Sequence, residues 1–476
     1  MNKVIKNFAY QSIFQIAKLL LPIITIPIVS QALGPKGIGI YNYINSISQY
    51  FILIASLGLN VYANREVAMN RDSKEKRSKT FWEIFYIQLI FSVISFVLYL
   101  MMILFLVKEY QLLYVIQGLV ILATILDISW FFMGLEDFKK TSMTNLAINM
   151  IAFIFIFLCI KEPNDLYKYV IIQVASIILS QGVVWFYLKN LITYHKVTLN
   201  GIMSHFKPAL TYFIPKVSIV LYTNMNKTLL GLLSNKTDVG FYSNAVLINT
   251  IFVTILTTLD LVLMPKMSHL FSKKNTQKML EIINYSLHFQ LYFSIAIMCG
   301  MWAIYDKLVY WFFGLKFIQL NDYIPILSIL IVIIPLGMGV SRQYLLPMNR
   351  IKVYNIAVIM GAILGILLNL LLIPSIGIYG AIVATICSEF FVTFIRTRSF
   401  IKETHFRFDL KQIFGNLAIG LLMVFCVRQL TGNFPSTILT TLIQALIGAT
   451  IYLSLTTVCK INPLYNYWKL TKVKEG

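Results

Sequence analysis

Charge is scarce in this chain, and acidic charge is scarcest. Only 12% of the 476 residues are charged, where a soluble protein carries about 25%. With 58% hydrophobic residues, that excludes an ordinary soluble domain and leaves a polytopic membrane protein. Cysteine is nearly absent. Cys159, Cys299, Cys387, Cys426 and Cys459 sit in or at the ends of apolar segments, with no close spacing. They read as small hydrophobes, which excludes a disulfide framework and a thiolate metal site. The histidines are as few: His195, His205, His269 and His405 fall in connections between apolar runs, and His288 lies near the end of one. None has metal-ligand spacing, so no metal or cofactor is expected. No glycine-rich run ends in Lys-Ser/Thr, so a nucleotide does not drive this chain directly. Nor is a cleavable leader expected, because the first apolar run is too long and is interrupted by Gln15, Lys18 and Pro22.

Long apolar runs are abundant. A helix needs about 20 such residues to cross a bilayer, and fourteen spans can be drawn. They lie at 8–33, 38–61, 81–106, 112–134, 143–160, 167–189, 209–232, 240–264, 283–305, 323–346, 354–373, 378–398, 411–430 and 436–458. The fold class expected is therefore all-α integral membrane, with about 14 transmembrane helices. The connections alternate in charge: 28 lysines and arginines fall on the side that holds both termini, and 7 on the other. The positive-inside rule then puts the N- and C-termini in the cytoplasm. It also explains the net charge of +21 without a nucleic-acid partner.

The first span is not uniformly apolar. Asn7, Gln11, Gln15, Lys18 and Thr25 recur at helical spacing and share one face. A lysine near mid-membrane costs about 2.5–3.5 kcal/mol on insertion scales, so it is expected to face a partner or a wet cavity. A shift of 201 residues lays Gly39 on Gly240 and Tyr41 on Tyr242, and maps the first six spans onto spans seven to twelve. This is a parallel repeat, an arrangement found in transporters. Three segments follow: a six-helix lobe over 1–200, a second over 201–400, and two additional helices with a tail over 401–476. The repeat brings out a second polar face, with Tyr212, Lys216, Thr223, Asn226 and Lys227 on the seventh span. The second span adds Asn42, Asn45, Ser46, Gln49, Ser56 and Asn60, and the eighth a thinner set of threonines. Polar side chains also glue membrane helices together, and that reading covers the threonines. It accounts poorly for Lys18, Lys216 and Lys227, because like charges repel in a dry seam. Three lysines on such stripes point to a hydrated, cationic cavity for an anion, with Gln11, Gln15, Asn42, Gln49, Tyr212 and Asn226 beside them.

Other charges lie within spans. Asp260 and Arg342 fall near span ends, where they either snorkel or pair in a gate. Asp127 and Glu389 lie deeper, as proton or cation relays or as structural counter-ions; both readings are open.

The run LPIITIPIVSQALGPKGIGIYNYINSISQYFILIASLGLNVYANREVA (21–68) resembles the start of bacterial polysaccharide repeat-unit flippases, an oligosaccharide flippase family of the multidrug/oligosaccharidyl-lipid/polysaccharide exporter superfamily. WFFMGLEDFKK (130–140) and IPSIGIYGAIVATICSEF (373–390) resemble that family's segments around the fourth and twelfth spans. The resemblance implies two six-helix lobes around a cavity lined by helices 1, 2, 7 and 8, in the bacterial plasma membrane. It implies a cargo of oligosaccharide on a polyprenyl pyrophosphate, flipped to the outer leaflet by alternating access for capsule or O-antigen synthesis. Pathway partners would be a polysaccharide polymerase and glycosyltransferases. The pyrophosphate's negative charge suits a basic stripe. Related multidrug exporters use a carboxylate in helix 1 for cation coupling, and the first span here has none. The alternatives are a multidrug exporter of the same superfamily, which wants an acidic cavity for cationic drugs, and an enzyme such as a membrane polymerase or glycosyltransferase. Such enzymes need catalytic groups on a sizeable outside loop. The outside connections are short, so no enzyme is expected.

Overall fold

The computed structural model describes residues 2–463, without the side chains of residues 2–20, Pro22, Phe138, Ile214 and Pro215. Every regular element among the described residues is helical. Twelve helical stretches are long and apolar enough to cross a membrane. The first, Ile23–Met69, is 47 residues long, about 70 Å at 1.5 Å per residue and more than one bilayer deep. It belongs to α1 (Asn2–Ser56) and α2 (Leu59–Met69), and α1 is broken at Gly34 (φ 68°, ψ 179°). Pro35 disfavours a helical residue before it, and only glycine takes the resulting positive φ cheaply. One helix in name is thus two helical arms that meet at Gly34.

The remaining passes are α3 (Lys74–Leu106), α4 (Gln111–Ala123) with α5 (Ser129–Gly134), α6 (Phe138–Cys159), α7 (Leu166–Val183) and α8 (Leu199–Leu233). They continue with α9 (Lys236–Ser272), α10 (Thr276–Phe312), α11 (Leu320–Leu327) with α12 (Leu330–Val340), α13 (Ile351–Ile376), α14 (Ile378–Thr404), α15 (Leu410–Thr431) and α16 (Ile438–Val458). At 35 residues α8 is long enough to span, but its lysines and asparagines hold it outside the apolar set. With the two arms of α1 and with α8, the passes expected from the sequence are all helical. Several starts are capped: Ser73, Asn235, Asn275, Asp409 and Thr437 each accept an amide from the first turn of the helix that follows.

The chain forms two compact units, Met1–Gly231 and Leu232–Gly476. In the first, an aromatic core closes around Leu59, Tyr62, Phe81, Trp130, Phe131, Phe132 and Ala209, and joins α2, α3, α5 and α8. Gly58 (φ 68°) makes the tight approach there: a Cβ on it would lie 2.7 Å from the Phe213 amide nitrogen. In the second unit, α15 and α16 pack on α10 through Tyr292, Cys299, Met423 and Tyr452. The Tyr292 hydroxyl is 2.8 Å from Thr456 Oγ1, and the Tyr452 hydroxyl donates to the Tyr292 carbonyl at 3.2 Å.

Candidate functional site

The polar face of α8 is built into the first unit by α1 and α2. Lys216 Nζ donates to Ser56 Oγ at 3.1 Å, and Lys227 Nζ donates to Asn42 Oδ1 at 3.4 Å. Both lysines are half-buried. Among the described residues neither ammonium has a carboxylate within salt-bridge distance; the Asp127 carboxylate interacts with Lys216 from farther away. An ammonium carries three donors, and neutral hydroxyl and carboxamide oxygens leave its charge unbalanced. Lys216 and Lys227 are eleven residues apart, about 20° in angle and about 16 Å along the helix. They lie on one line but too far apart to grip the same phosphate.

The rest of the stripe is held by hydroxyls. Thr228 Oγ1 lies 2.9 Å from Ser46 Oγ and 3.0 Å from the Tyr50 hydroxyl. The Asn42 amide donates to the Ile38 carbonyl at 3.0 Å, which aims its oxygen at Lys227. Gln49 donates to Asn45 Oδ1 at 3.4 Å, and Gln117 of α4 donates to the same oxygen at 3.1 Å. Gln49 therefore belongs to a carboxamide cluster between α1 and α4. Tyr212 accepts from Arg65 at 3.3 Å and leans on the Tyr62 ring. Asn226 is half-buried, and Thr223 beside it is exposed. The side chains of Gln11, Gln15 and Lys18 lie outside the described residues, so their place relative to this stripe is a proposal.

The other intramembrane charges separate. Asp127 closes a local turn: its Oδ1 accepts the Ser129 amide at 3.1 Å, and its Oδ2 accepts from Asn60 at 3.5 Å. Asp260 is fully buried, so it does not snorkel to an interface. Its two oxygens take amide hydrogens from Gln343 at 2.7 Å and Gln290 at 3.2 Å. Arg342, in a π-helical turn over Ser341–Leu345, donates to the Thr257 carbonyl at 3.2 Å rather than forming a short pair with Asp260. Glu389 is half-buried on α14.

One constellation was missed by sequence reasoning. His205 is not in a connection but inside α8, with Nδ1 2.6 Å from the Tyr62 hydroxyl and Nε2 3.1 Å from Glu83 Oε2. The available signal was a glutamate in the apolar start of the third span, WEIFYIQLI, where an unpaired charge is costly. Among the described residues no group of three or more His, Cys, Asp or Glu side chains is placed to hold a metal ion.

Among the described residues, twelve stretches long and apolar enough to cross a membrane define a multi-pass membrane protein, and α8 adds a basic, hydroxyl-lined helix face. The polysaccharide biosynthesis protein family matches residues 4–271, more than half of the sequence, and the chain belongs to that family. It is 26% identical over 271 residues to the "Putative O-antigen transporter" of Escherichia coli (strain K12). That match covers 55% of this chain and 64% of the relative, which is less than two thirds of the relative's length. The fold is similar to that of the lipid II flippase MurJ in an inward closed conformation, with TM-score 0.72, 17% identity, and coverage of 94% of this chain and 98% of that one. It is also similar to a MOP superfamily transporter from Pyrococcus furiosus, a structure described as having a binding pocket of reversed polarity, with TM-score 0.52 and 13% identity over 84% of this chain and 94% of that one.

Proposed function

We propose that this protein is a flippase that carries polyprenyl-pyrophosphate-linked oligosaccharide repeat units from the cytoplasmic to the outer leaflet of the bacterial plasma membrane. The observation that carries this reading is the pair Lys216 and Lys227, held on the α8 stripe by neutral oxygens with no carboxylate in pairing range among the described residues. A basic, hydrogen-bonding face suits an anionic head group with sugars attached. The relative from Escherichia coli is named as an O-antigen transporter, which supports the same class of cargo. In this reading both termini are cytoplasmic, and two lobes rock to expose the chamber to each side in turn. The helices of 401–476 pack at the flank. Lys18, Gln11, Gln15, Asn42, Gln49, Tyr212 and Asn226 line the chamber with the two lysines. A polymerase and glycosyltransferases act before and after this step, and no chemical bond is made here. A multidrug exporter would present acid to its cationic cargo, and the described part of the stripe is basic. Lys216→Glu tests the proposal: surface glycan is lost at normal protein abundance, and drug efflux does not change. Undiminished glycan export would overturn it.

A further inference from the structure

We propose that Tyr62, His205 and Glu83 form a proton-binding site, and that its occupancy sets how tightly the inner end of α8 is held to α2 and α3. The three residues come from three helices. His205 and Glu83 keep only 12% and 6% of their side chains exposed. The Gly201 turn of α8 is pressed against Glu83 so closely that a Cβ there would overlap the carboxylate. An ionised carboxylate only accepts, so the His205 nitrogen facing Glu83 carries its hydrogen. Nδ1 is then the acceptor, and the Tyr62 hydroxyl donates to it.

On the His205 ring a further proton can go only to Nδ1. The Tyr62 hydroxyl then turns, so that its oxygen accepts from Nδ1–H. The contact to Glu83 changes from a hydrogen bond made by a neutral ring into an imidazolium–carboxylate pair, and a bond with both partners charged is markedly stronger. Other charges face the site. Lys79 of α3 lies 4.0 Å from Glu83 Oε1, and Arg65 and Glu66 of α2 act on Tyr62 from opposite signs. The Tyr212 ring of α8 lies tilted beside that of Tyr62. Tyr62 itself belongs to the buried core with Phe81, Trp130 and Phe131. The clamp is therefore tighter with that proton bound than without it. The same helix carries Lys216 and Lys227, so a proton at one end governs the docking of the proposed anion stripe.

Ala209, fully buried in the core beneath this site, provides the probe. Ala209→Cys should be alkylated only when the inner end of α8 lifts. The full-length protein in nanodiscs is treated with N-ethylmaleimide from pH 8 down to pH 5.5, and the peptide holding position 209 is quantified by mass spectrometry. Adding His205→Gln should raise the alkylation rate, and the ratio of the two rates should grow as pH falls. Glu83→Gln should remove the same pH dependence. Taking ratios at one pH cancels the reagent's own dependence on thiolate. A purely structural role predicts a ratio above one that does not vary with pH, and that result overturns the proposal. An unchanged alkylation rate in both variants does so too. No cargo is present, so failure here is separate from failure of the flippase reading.

Discussion

Charge reversal at Lys216 bears hardest on the proposed site. Its ammonium donates to Ser56 Oγ at 3.1 Å, and it is half-buried. A hydrogen bond to a charged group contributes about 1.5–3 kcal/mol, so loss of one ammonium contact weakens an anionic head group by roughly one to two powers of ten. Lys216→Gln should therefore reduce export without abolishing it, and Lys216→Arg should keep most of it. Lys216→Glu goes further, because it adds repulsion of the cargo and a like charge near Asp127. Folding should survive, since the Ser56 hydroxyl, which donates to the Leu53 carbonyl, can turn to a carboxylate at 216. The two lysines are about 16 Å apart, so their mutual repulsion is about 1 kcal/mol at an effective dielectric constant of 20. That is too small to make either substitution a large change in stability. Surface glycan is quantified against protein abundance in the membrane, with the lipid-linked precursor measured in the same cells. The reasoning predicts wild-type abundance, absent glycan and accumulated precursor. Normal glycan with Lys216→Glu at normal abundance would refute it.

Three further outcomes are expected. Gly58→Ala places a Cβ 2.7 Å from the Phe213 amide nitrogen at a φ of 68°, so it should cost at least about 1–2 kcal/mol and lower the melting temperature of the purified protein. Asp260→Asn should export glycan normally, because both carboxylate oxygens are occupied by Gln290 and Gln343, and Gln290 Oε1 is a buried acceptor that can turn to meet the new amide. Asp260→Ala should instead destabilise by about 1–3 kcal/mol for each amide it strands. Loss of export in a well-folded Asp260→Asn protein would make Asp260 a relay.

The membrane class was legible because span length and apolar composition are local properties of sequence. The stripe on α8 was legible for a related reason: helical spacing places Tyr212, Lys216, Thr223, Asn226 and Lys227 on one face, whatever the helix packs against. Interruptions were harder to read. Gly34-Pro35 announces a break, but the fourth pass is split into α4 and α5, and the tenth ends in a π-helical turn, with only weak local signals. Contacts distant in sequence were not legible at all. Tyr62, Glu83 and His205 meet only because α8 folds back on α2 and α3, and no spacing rule connects them. For Asp260 the sequence left snorkelling and pairing in a gate both open, because distance from the end of a span says nothing about which neighbours cover it.

The central claim is that the α8 stripe faces water and attracts anions. Thr223, exposed between the two lysines, is the place to measure it. With the native cysteines replaced, Thr223→Cys is labelled with an anionic and a cationic methanethiosulfonate of similar size. The account predicts that the anionic reagent reacts faster, that the preference falls in Lys216→Gln and Lys227→Gln backgrounds, and that a polyprenyl pyrophosphate protects the thiol. Equal rates for the two reagents, or no reaction with either, would contradict it.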